Sequence, residues 1–128
     1  TYSLYPHSGS LKECDTVQEA YCLNFPALTV CGSAGAADAS FVSCDRKNVM
    51  LETVKMAEDG NGIILRFYEY ENARTKAAVT FGMGHQIESV CECNLLEETE
   101  GDAVEWNDDG FAFEIRPYEI KTYRVVLK

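Results

Sequence analysis

Between Asn48 and Glu71 the chain reads NVMLETVKMAEDGNGIILRFYEYE, two apolar runs joined by a polar turn. In the second run Ile63, Leu65 and Phe67 alternate with Ile64, Arg66, Tyr68 and Tyr70. A period of two sends successive side chains to opposite faces and marks a strand with one buried face. The first run is less regular. Val49, Leu51 and Thr53 share one face, and Met50, Glu52, Val54 and Met56 share the other. Apolar residues on both faces fit either a central strand or a bulge near Thr53. The turn, Glu58-Asp59-Gly60-Asn61-Gly62, holds Asp-Gly and Asn-Gly pairs. These residue types reach left-handed backbone at low cost and so close hairpins. The segment reads as the central hairpin of an all-β domain.

The same period recurs on either side. Leu28–Cys31 and Ser40–Cys44 read as strands, the first ended by the small-residue loop 32–39. Lys76–Phe81 has Ala77, Val79 and Phe81 on one face, and Gly82-Met83-Gly84 breaks it. His85–Asn94 sets Ile87, Ser89, Cys91 and Cys93 against Glu88, Val90 and Glu92. Ala103–Trp106 reads as a short strand and Asn107-Asp108-Asp109-Gly110 as a hairpin turn. Phe111, Phe113 and Ile115 alternate with Ala112, Glu114 and Arg116, and Ile120–Leu127 closes the chain. Helical spacing appears once, at about 15–24, where Thr16 and Glu19 form a capping box and Pro26 ends the pattern. The sum is an antiparallel β-sandwich of about nine strands with one short N-terminal helix. Residues 1–27 are an arm and helix, residues 28–128 are strands, and the whole of 1–128 reads as one domain.

Composition narrows the chemistry. The chain has 128 residues, a net charge of −10 and 46% hydrophobic residues, which suits one domain with a real core. So acidic a surface repels phosphates, so nucleic acid and anionic membranes are poor partners. No apolar run approaches the ~20 residues that span a bilayer. Six cysteines at irregular spacing, with no secretion signal, read as reduced and mostly buried thiols, which points to the cytoplasm.

Catalytic patterns are absent from the residues. Only His7 and His85 could serve a nucleophile, and neither sits in a recognisable triad context. Cys91 and Cys93 place two thiols on one strand face but lack the second pair of a zinc site. Asn107-Asp108-Asp109-Gly110 does not fit a calcium loop. Tyr68 and Tyr70 read as a packing pair, and Trp106 is the only tryptophan.

Particular residues go further than periodicity. Leu4-Tyr5-Pro6-His7-Ser8-Gly9-Ser10, Val17-Gln18-Glu19-Ala20-Tyr21 and Leu23-Asn24-Phe25-Pro26-Ala27-Leu28 resemble the start of the C-terminal β region of α-mannosidases of glycoside hydrolase family 38. Leu51-Glu52-Thr53-Val54-Lys55, Ala57-Glu58-Asp59-Gly60 and Leu65-Arg66-Phe67-Tyr68-Glu69 resemble the next block. Cys93-Asn94-Leu95-Leu96-Glu97 and the run from Phe113 to Thr122 resemble the last two.

The resemblance implies a C-terminal piece of a longer retaining α-mannosidase, an expectation that fits a chain beginning at Thr1. It also implies that a carboxylate nucleophile and a zinc ion sit in an N-terminal α/β catalytic domain outside this chain. No catalytic residue and no metal ligand can be carried over, and no cofactor is expected in this chain. The implied partners are the remaining domains of the parent and, through it, α-mannoside glycans. Pro6, His7, Ser8, Gly9, Leu23 and Asn24 are the candidates for the face toward those domains, where an exposed apolar patch is expected. Two other readings predict different structures. An independent carbohydrate-binding module needs an exposed aromatic platform, with Trp106 the candidate. A metal or redox domain needs a third ligand beside Cys91 and Cys93.

Overall fold

The computed structural model describes residues 2–32 and 38–128, and for 100–103 the backbone alone. The chain divides into two compact units, Thr1–Ala37 and Asp38–Lys128. Most of the expected 32–39 loop lies outside the described residues.

The first unit holds the single described helix, α1 (Thr16–Asn24), with Asp15 at its N-cap. The Thr16–Glu19 capping box does not form. Asp15 takes the cap position without a side-chain cap bond, so Thr16 is already inside the first turn. Its hydroxyl meets the Cys14 thiol instead, at 2.8 Å. None of the helix residues is buried. The strand expected at Leu28–Cys31 is absent too: these residues take no regular secondary structure, with Leu28 and Val30 almost fully exposed. β-branched and apolar residues make a strand only where an edge is there to receive them.

The second unit is an antiparallel sandwich of eight described strands: β1 (Val42–Cys44), β2 (Val49–Met56), β3 (Ile63–Glu69), β4 (Thr75–Phe81), β5 (Ile87–Cys93), β6 (Thr99–Ala103), β7 (Gly110–Ile115) and β8 (Ile120–Leu127). Three form one sheet in the order β1-β4-β7, and five form the other in the order β2-β3-β8-β5-β6. Val79, Phe81, Phe111, Phe113 and Ile115 from the small sheet meet Leu65, Phe67, Tyr123 and Val125 from the large one in a single buried cluster. Sheets bury one face each in this way, and the alternation along β4, β7 and β3 reports it.

Two bulges decide which side chains reach that core. In β2 the pairing with β3 slips between Leu51 and Thr53. Val49 and Leu51 therefore share a face with Val54 and Met56, which explains why the run is apolar on both faces when read with a strict period. The strand is an edge, not a central strand. In β5 the register against β8 slips between Ile87 and Ser89. Ile87 and Val90 both enter the core, so the expected grouping of Ile87 with Cys91 and Cys93 is corrected. Cys91 and Cys93 do share a face, opposite Arg124 and Thr122 of β8. The expected strand at Ala103–Trp106 also shifts: β6 ends at Ala103, and Trp106 makes only an isolated bridge to Phe111.

The β2–β3 turn shows why its glycines are there. Ala57 N–H donates to the Gly62 carbonyl at 3.0 Å, and Gly60 N–H to the Ala57 carbonyl at 2.9 Å. Gly60 and Gly62 have φ of +73° and +93°. A Cβ on Gly60 meets open space, whereas one on Gly62 would lie 2.7 Å from the Val125 carbonyl oxygen. Gly62→Ala is expected to cost about 2 kcal/mol or more, and Gly60→Ala about 1 kcal/mol from backbone strain alone. Urea midpoints of the two variants check the ranking.

Candidate functional site

The interface candidates named from the sequence all fall in the first unit. Pro6 and His7 lie on the exposed arm, where the His7 ring stacks on Tyr5 with centroids 5.7 Å apart. Gly9 has φ +82°, and the next turn is closed by Glu13, whose carboxylate accepts from Ser10 N–H at 2.8 Å and from its hydroxyl at 2.9 Å. Those two bonds hold the Glu13 carboxyl below the usual glutamate range. A side chain at Gly9 would press on that carboxylate. At the other end of the unit the Asn24 amide donates to the Ala20 carbonyl at 2.7 Å, capping the last turn of α1.

Leu23 lines a groove of about 430 Å³ with Ser3, Leu4, Tyr5, Thr16, Glu19, Ala20 and Cys22. Pro6, His7, Ser8 and Asn24 are not in that lining. The exposed apolar side chains of this unit run from Tyr2 to Val30 and include Leu4, Leu11, Leu23, Phe25 and Leu28. Phe25 is 74% exposed and Leu28 93%. Sequence reasoning assigned Leu28 to a strand and left Leu4, Tyr5 and Phe25 out of the candidate set.

In the second unit, three polar arrangements stand out. The first is buried. The Glu69 carboxylate, with its residue only 2% exposed, accepts from Asn48 Nδ2 at 2.9 Å, Glu71 N–H at 2.7 Å and Tyr118 N–H at 3.0 Å. Burial pushes this carboxyl up, but those donors together outweigh it and hold it below the usual range. The second pins the 94–98 loop to the outer face of the large sheet. Glu97, at φ +67°, pairs with Lys55 at 2.7 Å and accepts from Glu58 N–H at 2.8 Å. Arg124 reaches Asp59 and the Glu97 carbonyl, and Arg66 the Leu95 carbonyl. Beneath the loop Ala57, Ile64 and Cys93 form a small second cluster. The third is a groove beside Trp106 on the small sheet, lined also by Lys76, Ala78, Thr80, Glu105, Asn107 and Asp109.

None of these arrangements is a nucleophile with its base. His85 packs its ring edge-on against Phe41 at 5.1 Å. All six cysteines are unpaired, but only Cys14 and Cys93 are buried, while Cys22 and Cys31 are exposed. The expectation of mostly buried thiols is corrected to that extent; the exposed pair belongs to the same unit whose apolar residues are exposed. Burial pushes the Cys44 and Cys93 thiols up, and neighbouring Cys91 raises Cys93 further, the opposite of what a reactive thiolate needs. Among the described residues no three His, Cys, Asp or Glu side chains converge where a metal ion could sit, so Cys91 and Cys93 meet no third ligand there. Tyr68 and Tyr70 pack against each other with centroids 6.2 Å apart. No helix among the described residues is long and apolar enough to cross a membrane.

Comparison with known proteins places the second unit. Residues 48–123 match the model of the glycosyl hydrolases family 38 C-terminal beta sandwich domain. The chain is 34% identical to alpha-mannosidase G of Dictyostelium discoideum, over 98% of this chain and 12% of that protein. It is 30% identical to alpha-mannosidase 2C1 of Homo sapiens and 28% identical to that of Mus musculus, in each case over the whole chain and 13% of the relative. The chain thus spans roughly an eighth of the length of the curated relatives it matches.

Proposed function

Given that the chain belongs to the glycosyl hydrolases family 38 C-terminal beta sandwich domain family, we propose that it serves as the structural, non-catalytic β-domain of a retaining α-mannosidase. The parent hydrolyses α-mannosides with a carboxylate and a zinc ion held in regions outside this chain, and this domain packs on them. The observation that carries the reading is the apolar surface of the first unit. Leu4, Leu11, Leu23, Phe25 and Leu28 are all exposed within one short stretch of chain, and covering such side chains with a partner surface is favourable by about 25 cal/mol for each Å² of apolar area removed from water. Pro6, His7, Ser8, Gly9, Leu23 and Asn24 lie on the same stretch and complete the proposed contact face. Residues outside the chain supply the partner, since the relatives are about eight times longer. The compartment in this reading is the cytoplasm, which the six unpaired thiols support.

The test compares two settings. Leu23→Glu with Phe25→Glu is expected to lower the stability of the full-length parent by about 2 kcal/mol per buried side chain. The same pair should shift the isolated chain by no more than about 0.5 kcal/mol per site, as exposed substitutions do. Equal losses in both settings would sink the reading.

A further inference from the structure

We propose that the groove beside Trp106 is a binding site for one pyranose unit of a neutral sugar.

The site is built on the outer face of β4 and β7. Ala78 stands directly opposite Ala112, and Thr80 opposite Gly110. These small residues leave a shallow floor where larger ones would fill the space. The groove has a volume of about 430 Å³, inside the range of about 300–1,000 Å³ usual for ligand clefts. Trp106 lines it and is 42% exposed. The remainder of its surface is covered, and its backbone bridges to Phe111 of β7. An indole presents a negative π face, and the C–H groups on one side of a pyranose ring supply a matching apolar, weakly positive surface.

The rim supplies what the hydroxyls of such a ring need. Asn107 Oδ1 is taken by the N–H groups of Asp109 at 3.2 Å and Gly110 at 2.8 Å, which leaves its NH₂ as a fixed donor. Thr80 can donate or accept. The side chains of Lys76, Glu105 and Asp109 line the same groove and take no partner within the described chain, offering one cation and two carboxylates.

The rim is also held still. Phe81 N–H donates to the Asp109 carbonyl at 2.7 Å and Ile87 N–H to the Asp108 carbonyl at 2.8 Å. The turn is thereby tied to strands of both sheets, which lowers the ordering cost of binding. Two carboxylates on a chain of net charge −10 turn away anionic ligands. The Lys76 ammonium offsets one of those carboxylates, so the lining keeps one net negative charge. A neutral polyol ring with one apolar face uses the indole, the ammonium and the carboxylates together, as donors and acceptors for its hydroxyls.

Trp106 is the only tryptophan, so its emission reports on this groove alone. Titration of the chain with methyl α-mannoside and with methyl β-glucoside, followed by emission and by calorimetry, is expected to saturate with a Kd of about a millimolar for at least one of them. Ala112→Gln fills the floor from an exposed position and should weaken binding at least tenfold while leaving the thermal midpoint in place. Trp106→Ala should abolish the heat; if that variant fails to fold, Ala112→Gln decides. Absence of any response at 50-fold the millimolar range, undiminished binding by Ala112→Gln, or tighter binding of tetramethylammonium than of either sugar would overturn the proposal.

Discussion

Phe67→Ala is expected to lower the unfolding free energy by about 4 kcal/mol, the upper part of the range for emptying an aromatic site in a packed core. Phe67 is fully buried. Its ring lies 5.0 Å from that of Phe113 and 6.2 Å from that of Tyr123, and Tyr123 in turn lies 5.1 Å from Phe111. The four rings come from both sheets, so the truncation opens a void where the two layers hold each other. The neighbours cannot close it cheaply, because Phe113 and Tyr123 are fixed by strand pairing on their own sheets. Phe67→Leu keeps most of the volume and is expected to cost about 1.5 kcal/mol. Urea unfolding of both variants checks the pair. A loss under about 2 kcal/mol for the alanine variant would mean that the sheets can collapse into the gap. Since a domain of this size holds only about 5–15 kcal/mol in all, the alanine variant should sit near the limit of folding at body temperature.

The core was readable because its strands keep strict time. Leu65 and Phe67, Val79 and Phe81, Phe111 and Phe113 each sit two residues apart, and each pair faces inward. Where a strand loses a beat, a strict period misplaces residues. The irregularity at Thr53 was visible, since apolar side chains appeared on both faces of β2. The one at Glu88 was not, because Ile87 looks as natural beside Ser89 as beside Val90. Strand pairing with β8 decides that case, and pairing is a property of the partner. Leu28–Cys31 fails for the same reason in reverse: its residues suit a strand, but no partner receives them. The candidate contact face was legible through a family likeness and was only half located, since Leu4, Phe25 and Leu28 are as exposed as Leu23 or more so. Trp106 could be named from the sequence as a lone tryptophan, but the small floor of Ala78 and Ala112 beside it depends on the β4–β7 register.

Glu69→Ala should cost about as much as Phe67→Ala, roughly 3–4 kcal/mol, through polar groups. The alternation of β3 puts Glu69 in the inward series of Ile63, Leu65 and Phe67, but at a point where a charged residue usually marks the end of a buried face, so its partners are not legible from the strand. It is buried because of what converges on it. Asn48 precedes β2, Glu71 and Ala73 lie between β3 and β4, and Tyr118 lies between β7 and β8. At each of these three places the chain crosses from one sheet to the other. One carboxylate therefore ties all three crossings, and its removal strands the N–H groups of Glu71 and Tyr118 and leaves Asn48 Nδ2 with Thr75 Oγ1 as its remaining partner, at 2.7 Å. Glu69→Gln keeps the shape but turns an NH₂ toward groups that can only donate, and about 2 kcal/mol of loss is expected. The pH dependence separates charge from shape. The folded carboxyl titrates below its ordinary value of 4.5, so the ionised form stabilises the fold above that value. That contribution is lost as the pH falls through the depressed one. The gap in stability between wild type and Glu69→Gln should thus be widest above pH 4.5 and narrow steadily on acidification. Urea midpoints measured from pH 7 down to pH 3 check this, and a gap that stays constant would show that Glu69 acts by packing and not by its charge.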